Sequence, residues 1–168
     1  LRLRPVGGGR GRTLSGLVNI RDLRWTPDGR RLCFLARARR GGPLCLFRWT
    51  PRAARPMRLA LKGKEVAAYA FGPRGETYYV AAPTPESAPA ATVHYPREAP
   101  EGELRRLGGG RIGAIAANAA GLRVSADGRR LAWLGRPSPH EEGLFATEVR
   151  VTDLRTGKAT PVGTPRWG

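Results

Sequence analysis

The sequence predicts an all-β fold built from repeated units, and three observations carry this prediction. The phrase RWTPDGRRLCFL at residues 24–35 recurs 99 residues later as RVSADGRRLAWL at residues 123–134. Short apolar runs alternate with turn residues, without the 3.6-residue period of a helix. Equivalent positions of the phrase, Trp25, Phe71 and Val124, are 46 and 53 residues apart. Because a period of about 45 residues with four strands per unit is typical of propeller blades, we predict a partial β-propeller of about three four-stranded blades.

The first blade is predicted over residues 18–63. The segment before it, residues 1–17, is predicted to be a connector or the end of a preceding blade. The strands of the first blade are the run that ends at Trp25, LCFLA (32–36), PLCLFRW (43–49) and MRLAL (57–61). The two middle runs are apolar at consecutive positions, which is typical of strands buried on both faces. Since one sheet cannot cover both of its own faces, the blades are expected to stack on one another.

The second and third blades are predicted over residues 64–113 and 114–164. The second contains VAAYAF and ETYYVAA around a turn, then TVHY (92–95) and ELRRL (103–107); the third contains LRV, RRLAWLG, TEVRVT and ATPV. Between the blades, LRRLGGGRIGAIAANAAG (104–121) is predicted to end in a loop that starts at its glycines. The last four residues, PRWG (165–168), match the first letters of a further repeat.

The turns between the first two strands of a blade have their own chemistry. In the Asp28-Gly29 turn, the aspartate can accept hydrogen bonds from its own backbone, and the glycine can adopt the positive φ that a side chain resists. Asp127 and the glycine after it repeat this arrangement. The middle copy has Arg74 where the aspartate is expected, so we predict that its turn is less well anchored.

These phrases resemble those of a known repeat class. WTPDGRRLCFL, SADGRRLAWL and TDLRTGKATPV resemble the W-S-P-D-G-x-x-[IL]-A-F and D-x-x-T-G phrases of TolB-type propeller repeats. The same repeats form the propeller that precedes the hydrolase domain in the prolyl oligopeptidase family. The resemblance covers about residues 18–168 and implies a fold, but it does not assign a function.

The sequence contains no recognisable catalytic or cofactor motif. No G-x-S-x-G nucleophile elbow occurs, and the only histidines, His94 and His140, lie in different blades. The glycines in LGGGRIG have the G-x-G-x-x-G spacing of a dinucleotide site, but the stretch after them is too short for the helix that such a site needs. We therefore predict no catalytic residues, no metal site and no cofactor in this chain.

The two cysteines, Cys33 and Cys45, are expected in adjacent strands. Two cysteines without histidine or carboxylate partners cannot complete a tetrahedral metal site. They are either free buried thiols or a disulfide across the hairpin, and free thiols are favoured because disulfide geometry is demanding.

The charge is strongly positive and unevenly distributed. The chain has a net charge of +17, and residues 1–58 have 15 arginines against Asp22 and Asp28. An arginine-rich genome composition explains such a bias, and so does a surface that binds a polyanion. The candidate binding residues are Arg37, Arg39 and Arg40 in the hairpin tip RARR.

Three functions follow as hypotheses. The first is a non-catalytic interaction module that binds protein or peptide. The second is the substrate-gating propeller of a prolyl oligopeptidase-type serine peptidase, whose hydrolase domain is absent from this chain. The third is a basic domain that binds nucleic acid or another polyanion.

The hypotheses differ in the partners and the compartment that they imply. A peptidase-type protein is expected in the cytoplasm and a TolB-like one in the periplasm. No apolar stretch is long enough to span a membrane as a helix. Closed propellers need about four to eight blades, so we expect further blades or self-association.

Overall fold

The computed structural model describes residues 2–3, 11–59, 64–84, 101–135 and 148–163. All regular structure within these ranges is β-strand. Nor do they contain a helix with the length and hydropathy that crossing a membrane requires. The strands are β1 (Arg2–Leu3), β2 (Arg12–Thr13), β3 (Val18–Trp25), β4 (Leu32–Arg37), β5 (Leu44–Trp49), β6 (Met57–Arg58), β7 (Lys64–Phe71), β8 (Thr77–Pro83), β9 (Glu101–Arg106), β10 (Arg111–Ala116), β11 (Ala120–Val124), β12 (Arg130–Gly135), β13 (Glu148–Asp153) and β14 (Ala159–Gly163).

Three four-stranded antiparallel sheets make up most of the fold. Sheet 1 contains β3–β6, sheet 2 contains β7–β10 and sheet 3 contains β11–β14, while β1 pairs with β2 separately. Each strand pairs with its neighbour in sequence, so every sheet is a simple meander. The prediction of an all-β fold with three four-stranded sheets is confirmed. The chain divides into two compact units, Leu1–Leu61 with sheet 1 and Lys62–Gly168 with sheets 2 and 3.

Sheet 1 is buried on both faces at its two middle strands, as the consecutive apolar residues predict. Leu32, Phe34 and Ala36 lie opposite Trp49, Phe47 and Cys45 on one face. This face packs against Leu14 and Leu17, which precede the sheet, and against Ile20 of its first strand, β3. The rings of Phe34 and Phe47 stack with their centroids 5.9 Å apart. The alternate residues of β4 and β5 are buried on the other face.

The register of sheet 1 answers the question of the cysteines. Cys33 lies opposite Arg48, whereas Cys45 lies opposite Ala36, and successive side chains of a strand point to opposite faces. The two thiols are therefore on different faces of the sheet; both are buried, and neither forms a disulfide. Burial raises the pKa of the Cys33 thiol to about 11, so this group stays protonated at neutral pH.

Sheets 2 and 3 pack face to face in the second unit. The buried residues between them come from both sheets and from the turn between β10 and β11: Ala68, Ala70, Tyr78, Val80, Leu104, Ile115, Ala119, Leu122, Leu131 and Trp133. The Trp133 indole N–H donates a hydrogen bond of 3.0 Å to the hydroxyl of Thr152, which is fully buried. A buried polar pair of this kind costs little because each group satisfies the other.

The two sheets also meet at a pair of glycines. A Cβ on Gly113 of β10 would lie 2.6 Å from the carbonyl oxygen of Gly157, in the turn before β14. Gly157 itself has a φ of +74°, a conformation that favours glycine. The D-x-x-T-G turn therefore joins its own strands and also packs against the neighbouring sheet.

The prediction of a loop after the glycines of 104–121 is wrong. Residues 107–110 form a hairpin turn, and Arg111–Ala116 is the outer strand of sheet 2, paired with Glu101–Arg106. The physical reason is that Ile115 is buried between the sheets, which stabilises an extended strand. No helix follows these glycines, so the dinucleotide alternative has no structural basis. The predicted strand at 92–95 and the predicted repeat start at 165–168 lie outside the described residues.

The first strands of sheets 1 and 3 share a bulge that the sequence pattern does not reveal. Asp22 and Gly121 each lie three residues before the equivalent positions Trp25 and Val124, and their φ angles are +51° and +62°. The register of each strand shifts at this point. In sheet 1 the Asp22 carboxylate accepts a hydrogen bond of 2.8 Å from the Arg24 Nε. Sheets 1 and 3 therefore share a distortion of the backbone at equivalent positions, in addition to the repeated sequence.

Candidate functional site

The predicted binding arginines lie at the hairpin between β4 and β5 and differ in their exposure. Arg37 ends β4, is half-buried, and its guanidinium donates a hydrogen bond to the carbonyl oxygen of Gly42. Arg39 and Arg40 are exposed in the turn. Neither has a carboxylate partner among the described residues. Arg37 therefore bonds within the hairpin, whereas Arg39 and Arg40 are exposed to solvent.

The first turns of sheets 1 and 3 have the same hydrogen bonds, position for position. In sheet 1, the Thr26 hydroxyl donates to the Asp28 carboxylate at 2.5 Å, and the Arg30 backbone N–H donates to the same oxygen at 3.0 Å. In sheet 3, Ser125 and the Arg129 backbone do the same for Asp127, at 2.6 and 3.0 Å. These aspartates therefore hold the turns, as the sequence predicts.

The same bonds change the acidity of the turn aspartates. The hydroxyl of Thr26, followed by the Arg30 N–H, lowers the pKa of Asp28 below its usual value. The pKa of Asp153 is lowered first by the Thr156 backbone N–H and then by the Thr156 hydroxyl. Because these carboxylates accept bonds within their own turns, they are poor candidates for general acids or bases.

The middle turn uses a different anchor. Arg74 replaces the aspartate, and the carboxylate of Glu76 accepts a 3.0 Å hydrogen bond from the Arg74 backbone N–H. Six positions separate Phe71 from its pairing partner Thr77, one fewer than between Trp25 and Leu32. The turn is therefore shorter and lacks the hydroxyl–carboxylate pair of the other two copies.

Sequence reasoning missed a second basic surface, which we call the turn rim. It consists of the four turns at one edge of sheets 2 and 3, at residues 72–76, 107–110, 125–130 and 153–158. In sheet 3 two turns contact each other, since the Leu154 N–H donates to the Arg129 carbonyl at 2.8 Å. In sheet 2 the Leu107 N–H donates at 2.8 Å to the carbonyl of Thr77, the first residue of β8. The exposed basic side chains of the rim are Arg74, Arg129, Arg130, Arg155 and Lys158, and Arg106 lies beside it at the end of β9.

The repeated turn phrase explains why the rim is basic. In D-G-R-R the aspartate is bonded inside the turn, while the arginines after it remain exposed. Arg30 and Arg31 have the same exposed positions in sheet 1. The repeated phrase thus contained the arginines of this surface, but the sequence pattern was interpreted only as a turn.

Sheet 3 has a shallow groove on the face that points away from sheet 2. The groove has a volume of about 390 Å³ and is lined by Arg130, Val151, Asp153, Lys158, Thr160 and Val162. Its walls are partly apolar, and its charged residues are at the end nearest the turn rim.

A metal site needs several ligating side chains close together. Among the described residues, no three His, Cys, Asp or Glu side chains are grouped in a way that could hold a metal ion. His94 and His140 lie outside the described residues.

Comparisons with known proteins identify the fold. No protein-family model and no curated protein sequence match the chain. Among solved structures, it is similar to TolB from Acinetobacter baumannii, with a TM-score of 0.58 and 18% identity over 97% of this chain and 37% of that one. It is similar to TolB from Agrobacterium tumefaciens, with a TM-score of 0.67 and 14% identity over 97% of this chain and 56% of that one.

A peptidase structure matches as well. The acylaminoacyl peptidase of Pyrococcus horikoshii aligns with a TM-score of 0.62 and 8% identity, over 96% of this chain and 27% of that one. The chain spans 27–56% of the length of these three structures. These likenesses confirm the predicted resemblance at the level of the fold: the chain is a partial β-propeller with the fold of TolB-like and peptidase propellers.

Proposed function

We propose that this chain is a non-catalytic interaction module that binds protein or peptide through its turn rim. The proposal rests on one observation: within each repeat, different residues serve for packing, for closing the turn and for contact with solvent. The apolar residues of the sheets are used for stacking, and the turn aspartates are bonded within their turns. The exposed arginines and Lys158 are left to contact a partner. Because the rim is basic, acidic segments are the expected ligands.

Peptide selection on the intact chain tests this proposal. A library of random displayed peptides is selected against the chain, and the affinity of each selected peptide is measured by calorimetry. We expect the selected peptides to be acidic. The proposal fails if selection yields no peptide that binds in solution.

Two matched double variants locate the surface. Arg129→Glu/Arg155→Glu changes the turn rim, and Arg39→Glu/Arg40→Glu makes the same change of charge at the hairpin of sheet 1. We expect the first to weaken binding by roughly tenfold or more and the second to leave it nearly unchanged. The reverse result would assign binding to Arg39 and Arg40 instead.

The alternative is a substrate-gating propeller of a serine peptidase. The similarity to an acylaminoacyl peptidase structure supports this alternative. This chain matches 27% of that structure, so most of that peptidase lies outside the matched part. The test is the peptidase activity of the complete protein from its source cells, together with a G-x-S-x-G motif in the complete gene. Without both, the alternative fails.

A polyanion-binding role is favoured by one observation, the arginine excess of residues 1–58. Arg30, Arg31, Arg39 and Arg40 are all exposed there. If they bind a polyanion, the logarithm of the affinity for a single-stranded RNA should fall steeply with the logarithm of salt concentration. An affinity that does not depend on salt would exclude this role.

A further inference from the structure

The turns of the turn rim are held to one another across both sheets. A Cβ on Gly128 of sheet 3 would lie 3.3 Å from Pro73 Cγ of sheet 2, so these two turns touch. Within sheet 3, the Leu154 N–H donates to the Arg129 carbonyl and joins the next pair of turns. Three of the four turns are thus linked by direct contacts.

The fourth turn, at residues 107–110, closes the ring. On one side, the Leu107 N–H donates to the carbonyl of Thr77, which directly follows the first turn of sheet 2. On the other side, Gly157 of sheet 3 packs against the Ile112 carbonyl, two residues after the fourth turn. The four turns therefore form a closed ring of contacts at the edge of the two sheets, and their side chains are presented from a fixed frame.

The side chain of Arg106 is directed into this ring. Arg106 ends β9, directly before the fourth turn, and lies opposite Tyr78 in the register of sheet 2. Tyr78 is buried in the core between sheets 2 and 3. Because residues directly opposite each other in neighbouring strands share a face of the sheet, the Arg106 side chain also extends towards sheet 3. It is nevertheless exposed, so the ring leaves it open to solvent.

A glycine gives the Arg106 guanidinium its place. A Cβ on Gly109 would lie 2.9 Å from Arg106 Nε and 3.4 Å from Arg106 Nη2, so the guanidinium lies against the turn only because Gly109 has no side chain. Gly110 differs, since nothing lies within 4 Å of its Cβ position. Neither glycine has a positive φ. The glycine run therefore positions an arginine, although it does not form a dinucleotide site.

The arginines of the ring are not neutralised by neighbouring carboxylates. Arg106, Arg129 and Arg155 are exposed, and none of them forms an ion pair with a carboxylate within the ranges that the structure describes. The aspartates of the sheet 3 turns, Asp127 and Asp153, accept hydrogen bonds inside their own turns. A bound anion is therefore the complement of this site.

Several guanidiniums around one ring favour a phosphoryl group over a single carboxylate. A phosphorylated side chain has a charge of about −1.5 to −2 at pH 7 and three acceptor oxygens. A carboxylate has one negative charge and two oxygens, which one guanidinium can occupy as a bidentate pair. A phosphoryl group can accept from the Arg106 guanidinium and still offer an oxygen to Arg129 or Arg155. Clusters of arginines bind phosphorylated segments in this way.

We propose that the segment bound by the turn rim contains a phosphorylated residue, whose phosphoryl group lies in the ring and contacts the Arg106 guanidinium. This proposal rests on the proposed function, because it names the ligand class of the same surface. Gly109 is a positioning residue in this site: it acts through Arg106 and does not itself need to contact the ligand.

Matched peptides test the proposal on the intact chain. A random peptide library with a fixed central phosphoserine is selected at about pH 7.5, and each selected peptide is remade with glutamate at that position. Calorimetry measures both affinities. We expect the phosphoserine peptide to bind at least about tenfold more tightly. This preference should shrink as the pH is lowered to about 5.5, because the phosphate takes up a proton with a pKa of about 6.

Two glycine variants separate the site from the rest of the turn. Gly109→Ala places a methyl group against the Arg106 guanidinium, whereas Gly110→Ala makes the same change in open space. We expect Gly109→Ala to reduce the preference for phosphoserine to about twofold or less and Gly110→Ala to retain it. The affinity for the glutamate peptide, which reports the rest of the rim, should change little in both. Circular dichroism checks that each variant is folded.

A charge-conserving variant and two further outcomes make the test decisive. Arg106→Lys keeps the positive charge but loses the planar guanidinium, and it should also lose the preference for phosphoserine. If glutamate peptides bind as tightly as phosphoserine peptides, this proposal is overturned and the proposed function stands. If no peptide of either kind binds, both fail. Displacement of the phosphoserine peptide by an equal concentration of single-stranded RNA would also overturn the proposal, in favour of a general polyanion site.

Discussion

Some charged side chains of this protein form ion pairs with near neighbours, and Glu103 has two such partners. Its carboxylate lies 2.8 Å from Lys64 Nζ and 2.8 Å from Arg105 Nη1. The hydrogen bond from Lys64 and then that from Arg105 lower the pKa of Glu103 from 4.5 to about 2. A carboxylate with a depressed pKa stabilises the fold above its unfolded pKa, and this stability is lost as the pH falls towards the folded pKa.

Removal of the Glu103 charge should therefore have a pH-dependent effect. At pH 7 we expect Glu103→Gln to lower the free energy of unfolding by about 1 kcal/mol, since solvent screens a partly exposed pair. At pH 2 the difference should largely disappear. Glu101→Gln is the control, because Glu101 is 70% exposed and lies 3.3 Å from Arg111. Urea titrations at the two pH values measure both variants, and equal effects at both pH values would contradict the prediction.

Alanine substitutions at two glycines with positive φ should distinguish the cost of backbone strain from the cost of a steric clash. Gly29 has open space around its Cβ position, whereas a Cβ on Gly157 would collide with the Ile112 carbonyl oxygen. We expect Gly29→Ala to cost about 1 kcal/mol, from the left-handed backbone alone. Gly157→Ala should cost about 3 kcal/mol, because the two sheets must also move apart. Equal losses in urea titrations would show that the close approach is unimportant.

At the scale of elements, the strands of the repeated phrase could be predicted because their signals are local. An apolar run on each side of Asp-Gly specifies a hairpin, and the consecutive apolar residues of β4 and β5 indicate burial on both faces. The strand β10 could not be predicted in the same way. Its sequence, RIGAIA, is weakly apolar, and it is held in place by Ile115 and by the approach of Gly157 to Gly113. Those contacts come from another sheet and leave no local pattern.

The position of a leucine in the stack should decide its contribution to stability. Leu35 and Leu134 occupy equivalent positions in sheets 1 and 3, but Leu35 is 2% exposed and Leu134 is 40% exposed. We expect Leu35→Ala to lower the free energy of unfolding by about 3 kcal/mol and Leu134→Ala by less than about 1 kcal/mol. The measurement is urea unfolding of the 168-residue chain. A large loss for Leu134→Ala would mean that this side chain is already packed in the 168-residue chain.

At the scale of the whole molecule, composition and repeat period were sufficient to predict the fold class, but not the candidate site. The sequence shows where arginines are numerous. Whether an arginine side chain can contact a ligand depends on its burial and on its hydrogen bonds in the folded chain. Arg37 was predicted as a binding residue, and the structure adds that its guanidinium bonds the Gly42 carbonyl. Arg129 and Arg155 were not predicted, because the turn rim is formed only when turns distant in sequence come together.

The net charge should make the stability of the chain depend on salt. Charges of one sign repel one another more in the compact state than in the unfolded chain, and salt screens this repulsion. We expect the melting temperature to rise by roughly 3 °C between about 20 and 200 mM NaCl. Calorimetry measures it. A melting temperature that falls with salt would show that local ion pairs such as that of Glu103 outweigh the overall repulsion.

The placement of the two thiols makes them a natural reporter of folding. Both cysteines of the chain are in the first compact unit, on opposite faces of sheet 1, and the second unit has none. The rate at which a thiol reagent modifies the folded chain therefore measures the opening of sheet 1 alone. Cys33 and Cys45 would report that opening separately, one for each face. The order in which they react would reveal which face of the sheet is uncovered first.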